Sequence, residues 1–118
     1  MIQGIGLDVV ELERIAHLDQ RSNKFRERIL SVTELQIYGT LSGHRKTEYL
    51  AGRFAAKEAF SKARGTGIGK ECGFLDIEIL SESNGRPVLY FKKDLVNGFV
   101  SITHTRTVAA AQVILVES

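Results

Sequence analysis

The run Arg53-Phe-Ala-Ala-Lys-Glu-Ala-Phe-Ser-Lys-Ala-Arg-Gly-Thr-Gly67 decides how this chain folds. Its alanines and other good helix formers predict the second half of a long helix. Thr47 is the expected start, where a hydroxyl can cap the first-turn N–H groups. Gly65 stands where a left-handed C-terminal cap falls. At about 100° per residue, Tyr49, Gly52, Ala56, Ala59, Phe60 and Ala63 share one face, mostly small enough for the helix to lie close against a sheet. Phe54, Glu58, Ser61 and Lys62 share the opposite face, and Gly65-Thr66 continues that line. By spacing alone, Glu58 and Lys62 form a surface i,i+4 ion pair worth about 0.3 kcal/mol. The alternative is a metal-binding carboxylate beside a phosphate-binding lysine, and it requires a second carboxylate at the same place.

Such a carboxylate stands upstream. Residues 2–10 are short, β-branched and apolar, and predict a buried strand in which Gly4 and Gly6 allow close backbone approach. Asp8 interrupts this apolar run. An acid there needs a cation, a donor or water. Two readings stand side by side: an N-cap for the helix expected at residues 11–18, or a metal ligand. A polar break at residues 19–23 leads to a second helical stretch at 24–30. Arg14, Arg21, Lys24, Phe25 and Arg28 then form a basic stripe around one exposed aromatic. It is either a solvated face or a docking surface for an acidic partner. Ser31-Val-Thr-Glu34 has the form of a capping box. Residues 40–46 read as a polar loop.

Downstream, Gly65-Thr-Gly-Ile-Gly69 fails both nucleotide motifs it evokes. Arg64 stands where a Walker A loop needs glycine, and Glu71 stands where Ser or Thr should follow Lys70. The third glycine of a dinucleotide fingerprint comes one place too early, after a helix rather than a strand. The turn can still offer backbone N–H groups to a phosphate. Residues 74–80 and 88–91 read as a hairpin across a turn at 83–87. Two more strands, 99–103 and 107–116, flank Thr103-His-Thr-Arg106, either an ordinary turn or a phosphate- or sugar-binding one. The fold class is α+β: a helix-rich first half, and an antiparallel sheet from the second half plus the N-terminal strand, packed on one long central helix.

With 118 residues, the chain is one domain, 1–118, with one core. A net charge of +2 does not indicate nucleic-acid binding, and no apolar run reaches the length of a membrane span. The N-terminus has no signal-peptide pattern, and Cys72 is the only cysteine, so a cytoplasmic location is expected.

Together, Gly4-Ile-Gly-Leu-Asp8 with Arg14, Phe54-Ala-Ala-Lys-Glu-Ala-Phe-Ser-Lys62 running into Gly65-Thr-Gly67, Asn84-Gly-Arg-Pro87 and Ser101-Ile-Thr-His104 resemble the small 4′-phosphopantetheinyl transferases of the holo-acyl-carrier-protein synthase type. The resemblance covers nearly the whole chain. It implies transfer of 4′-phosphopantetheine from coenzyme A to a serine of apo acyl carrier protein, with release of adenosine 3′,5′-bisphosphate, in fatty acid biosynthesis. Asp8 and Glu58 are implied as ligands of one magnesium ion, and Lys62 as facing the phosphates of coenzyme A. Ser61, Gly65 and Thr66 are implied to line the nucleotide part. Asn84, Gly85, Arg86, Pro87, His104 and Thr105 are implied in binding the same coenzyme, from a neighbouring chain of a homotrimer. Arg14, Arg21, Lys24, Phe25 and Arg28 correspond to the docking surface for acidic acyl carrier protein. Glu58, directly or through a magnesium-bound water, is the first candidate for the base that activates the serine, with Asp8 the runner-up. Two rival readings are a non-catalytic coenzyme A or nucleotide-binding module, which would bind its ligand without Glu58, and a protein that only docks an acidic partner, without coenzyme A or metal.

Overall fold

The computed structural model describes residues 1–117. In chain order the elements are β1 (Ile2–Glu11), α1 (Leu12–Arg21), α2 (Asn23–Ile29), α3 (Val32–Gly39), α4 (His44–Arg64), a 3-10 turn (Phe74–Asp76), β2 (Ile77–Ser81), β3 (Pro87–Phe91), β4 (Asp94–Leu95), β5 (Gly98–His104) and β6 (Val108–Val116). The α+β class and the long central helix are as expected. The strands, however, form two antiparallel three-stranded sheets, ordered β1-β6-β5 and β2-β3-β4, where a single sheet was expected.

Alternation along β1 sets the architecture. Gly6 and Val10 are buried, and Gly4 and Asp8 are half-buried, all on the side that meets α4. A Cβ on Gly4 would lie 2.1 Å from the Ala63 carbonyl oxygen, and one on Gly6 only 1.8 Å from that of Ala59. Strand and helix are therefore in direct backbone contact, which no larger residue permits. The opposite face of β1 is not buried: Ile5, Leu7 and Val9 are 57%, 57% and 59% exposed. The expected buried strand is therefore buried on its α4 face only. Ala51, Ala55, Ala56 and Ala59 fill the interior of α4, with Ile15, Leu50, Phe60, Ile77, Ile79 and Val113 around them.

The long helix starts three residues before Thr47, which is not its cap. Gly43 enters it with φ 59° and ψ −135°, a conformation suited to glycine. His44, Arg45 and Lys46 form the first turn, so the expected loop is shorter. Cations there oppose the helix dipole, which is why the sequence pattern points to a later start. Lys46 finds compensation over the Tyr38 ring, 4.5 Å from its centroid. At the other end, Gly65 adopts φ 85° as the left-handed cap.

The capping box of α3 forms as its spacing predicts, and its glutamate does more than cap. Glu34 accepts from Ser31 N at 2.9 Å and, through its second oxygen, from Ile79 N at 2.8 Å. Lys57 Nζ donates to Glu34 Oε1 and to the Ile29 carbonyl, each at 2.6 Å. Both charged side chains are fully buried. Burial pulls the Lys57 ammonium down from its ordinary value, and Glu34 opposes that pull. The ammonium ties α4 to the end of α2 and the start of α3, and its partner Glu34 extends the tie to strand β2.

Gly6→Ala should destabilise the protein by about 3 kcal/mol, because the methyl group meets a helix carbonyl that cannot move without breaking the α4 ladder. Urea unfolding measures this; an unchanged midpoint would show that the contact is soft.

Candidate active site

Asp8 lies inside β1, in register with Ala111 of β6, three residues before the strand ends. The N-cap reading of Asp8 is excluded, since Glu11 occupies that position for α1 and Leu12 N donates to the Thr107 carbonyl. With Gly4 and Gly6 on the same side of the strand, the Asp8 carboxylate is pressed toward the last turns of α4. There Lys62 Nζ donates to Asp8 Oδ1 and to the Leu7 carbonyl, each at 3.0 Å. The ion pair joins residues 54 apart in the chain. The Asp8 side chain is 15% exposed and that of Lys62 51%, so the lysine is free to turn.

Glu58 sits one helical turn before Lys62. Burial pushes its carboxyl above the ordinary value, and the negative charge of Asp8 adds to this. The Lys62 and Arg14 charges act against it. Two carboxylates, a lysine and an arginine from three elements (β1, α1 and α4) therefore share one electrostatic environment. Such a pair repels itself and favours a cation between its members. Among the described residues no group of three or more His, Cys, Asp or Glu side chains is placed to hold a metal. Two carboxylates suit magnesium, which keeps waters and takes substrate phosphate oxygens to complete its shell. The donor set fits that ion.

Ser61 is not on the exposed face with Glu58 and Lys62. It is fully buried, and its hydroxyl donates to the Glu58 carbonyl at 2.7 Å. Its own carbonyl accepts from Gly65 N, Thr66 N and Gly67 N at 3.1, 3.2 and 3.1 Å. The turn's N–H groups therefore point back at the helix end, and the expected backbone cradle for a phosphate does not form from them. Gly65 and Thr66 remain exposed beside Lys62, and the Thr66 hydroxyl donates to the Gly67 carbonyl.

The remaining segments lie elsewhere. In the hairpin, Gly85 has φ 86° and Arg86 N donates to Asn84 Oδ1. The Arg86 guanidinium lies 5.8 Å from the centre of the Phe99 ring, and Pro87 opens β3. His104 ends β5, and the Thr105 oxygen accepts from Thr107 N and Val108 N within its own turn. Within one chain, no hydrogen bond or ion pair among the described residues joins these groups to Asp8, Glu58 or Lys62. Of the basic stripe, Arg14, Arg21, Lys24 and Arg28 are exposed. Phe25 is half-buried rather than exposed, because its ring packs on Phe54 at 6.1 Å, and Phe54 stacks on Phe74 at 5.4 Å.

Reading the sequence missed three features. Lys57 adjoins Glu58 and looks like a surface cation, yet it is buried; only its position between small helix residues hints at this. Arg26, outside the predicted stripe, is held by Asp19 at 2.7 Å, and Tyr38 donates to the same carboxylate. The third feature is a cluster of polar side chains at the start of α4, where Glu48 Oε2 lies 3.3 Å from His104 Nδ1 and 3.6 Å from His44 Nε2.

Known proteins resemble the chain as a whole. The family model described as the 4′-phosphopantetheinyl transferase superfamily matches residues 4–114. The holo-[acyl-carrier-protein] synthase of Bacillus subtilis is 56% identical over 116 residues, covering 98% of this chain and 96% of that protein. That of Listeria monocytogenes is 52% identical over 116 residues, covering 98% of each. The crystal structure of a holo-(acyl-carrier-protein) synthase from Bacillus anthracis in complex with CoA (3′,5′-ADP) superposes with a TM-score of 0.90 at 49% identity, covering 100% of this chain and 99% of that one. The Neisseria meningitidis synthase superposes at 0.89 with 33% identity, covering 99% of this chain and 100% of that one. With a carboxylate pair and lysine set by β1 on α4, and with these likenesses along nearly its full length, the chain belongs to the 4′-phosphopantetheinyl transferase superfamily, among the holo-[acyl-carrier-protein] synthase enzymes.

Proposed function

We propose that this enzyme transfers the 4′-phosphopantetheine group of coenzyme A to a serine hydroxyl of apo acyl carrier protein. Adenosine 3′,5′-bisphosphate is the second product, and the reaction is magnesium-dependent and serves fatty acid biosynthesis in the cytoplasm. The observation that carries this reading is the meeting of Asp8, Glu58 and Lys62. A bound coenzyme in a relative of the same fold supports it.

In this reading Asp8 and Glu58 hold the magnesium ion, which when bound neutralises negative charge on the pyrophosphate. Lys62 leaves Asp8 and pairs with a phosphate oxygen, stabilising charge that builds up on the leaving bisphosphate. Glu58 accepts the serine proton. Gly65 and Thr66 border the nucleotide. Ser61 acts from below, fixing the Glu58 backbone and the turn. Arg14, Arg21, Lys24 and Arg28, with Phe25 at their centre, meet the acidic carrier protein.

Asn84, Gly85, Arg86, Pro87, His104 and Thr105 complete the coenzyme site from a neighbouring chain in a homotrimer. The bare apolar row Ile5, Leu7 and Val9, with exposed Phe99 on the same sheet, supports such a contact. Position along α4 supports it too: Glu48, beside His104, lies ten residues before Glu58, about 15 Å at 1.5 Å per residue.

Incubation with coenzyme A and magnesium should add the mass of one phosphopantetheinyl group to apo acyl carrier protein, and a chelator should prevent it. Glu58→Gln should reduce turnover at least about 100-fold with an unchanged circular dichroism spectrum; near-normal turnover by the folded variant would remove Glu58 from the mechanism. Reversing charge at Arg14 and Arg21 should raise the KM for carrier protein by about tenfold and leave that for coenzyme A within about twofold; equal effects on both would count against the docking surface. Leu7→Arg should convert a trimer to monomers in sedimentation and raise the KM for coenzyme A by about tenfold or more. A monomeric wild type of full activity would refute the shared site.

A further inference from the structure

A cavity of about 550 Å³ opens beside the first half of α4, away from the carboxylate pair. Arg45, Glu48, Tyr49, Arg53 and His104 bring its polar groups. The wall carries two guanidiniums, Arg45 and Arg53, against one carboxylate, Glu48. Tyr49 Oη and Arg53 Nε have no protein partner but are enclosed behind the wall and do not face the cavity. Burial pushes the Tyr49 phenol up to about 12, so it keeps its proton at neutral pH. The Arg53 guanidinium lies over the Tyr49 ring, 4.3 Å from its centre, and a second guanidinium, that of Arg45, borders the same space. This chemistry suits an anionic group.

Glu48 is the exception in that wall, because a carboxylate repels an anion. Its contacts explain its presence. One oxygen, Oε2, sits between two imidazoles from different elements: His104 Nδ1 from the end of β5 at 3.3 Å, and His44 Nε2 from one turn earlier on α4 at 3.6 Å. The Glu48 side chain is the least exposed of the three. A carboxylate that takes the Nδ1 proton of an imidazole fixes the ring's orientation and tautomer and leaves Nε2 for a ligand.

We propose that Glu48 is a positioning residue, which holds His104 through Nδ1 so that Nε2 faces an anionic group of coenzyme A in this cavity. The proposal rests on the reading of His104 as a coenzyme ligand. Glu48 touches the ring and not the coenzyme, and the Arg45 and Arg53 guanidiniums supply the positive charge.

Glu48→Ala should raise the KM for coenzyme A about fivefold and leave kcat and the KM for carrier protein within about twofold. Glu48→Gln, which keeps an acceptor oxygen, should restore most of the affinity. In ¹⁵N-histidine spectra of the whole protein, neutral His104 should carry its proton on Nδ1 in the wild type and in Glu48→Gln, and shift toward Nε2 in Glu48→Ala. His104→Ala separates the two layers of the argument. If it leaves the KM for coenzyme A unchanged, the coenzyme-ligand reading of His104 fails. If it raises that KM while Glu48→Ala changes neither KM nor tautomer, the positioning role fails. The double variant should be no worse than His104→Ala alone; additive losses would show that Glu48 acts by another route.

Discussion

The contact between the backbone of β1 and the backbone of α4 is the constraint on which the rest depends. Gly4 and Gly6 let the strand touch helix carbonyls at Ala63 and Ala59. A strand advances about 3.3 Å per residue and a helix about 1.5 Å, so side chains on the two elements come together only where the crossing is fixed. Fixing it at two glycines sets Asp8, two residues on, beside the last turns of α4. The antiparallel pairing of β1 with β6 then carries the contact into the sheet, and β5 follows on the far side of β6. The small residues of α4 serve the same end. At Gly52, a Cβ would sit 3.1 Å from the Ile102 side chain, so the helix stays close to the sheet over several turns.

Two lysines of α4 show how burial divides similar groups between structure and chemistry. Lys57 is enclosed with Glu34, and that carboxylate's oxygens are taken up by backbone donors as well. Taking away either member would leave a charge in the interior without a partner, which makes the pair rigid. Lys62, five residues later, meets Asp8 at the rim, where solvent and ligands compete for both. Glu58 lies between them in sequence and is partly desolvated, which raises its affinity for protons and for cations alike. The fixed pair holds the helix still, so the movable pair can exchange partners without disturbing the fold.

Much of this was legible in the sequence because it depends on local chemistry. Alanine density marked the helix, Gly65 its end, Ser31 with Glu34 the capping box, and the 83–87 turn the hairpin. The meeting of Asp8 with the Glu58 and Lys62 helix was reached through family resemblance, since helical periodicity does not say which strand crosses where. Errors arose where tertiary contacts overrode local signals. Lys46 gained an aromatic neighbour, so a basic first turn was tolerated at the start of α4. The Ser61 carbonyl collected the N–H groups of the glycine turn, which composition alone would have left open for a phosphate. Phe25 was covered by Phe54, a neighbour on α4 that the sequence of α2 alone could not reveal. The division of the strands into two sheets depends on long-range pairing, about which strand propensity is silent.

The enclosure of Lys57 also bears on how the chain reports its own integrity. An amine-modifying reagent reaches the other lysines from solvent, but it meets Lys57 only after α4 has separated from α2, α3 and β2 together. Those elements are joined through the Lys57–Glu34 pair, so partial fraying at a terminus does not release it. The reactivity of this single amine therefore follows the global opening of the molecule and is blind to local motion. It amounts to an internal gauge of conformational stability, located one residue from the candidate base.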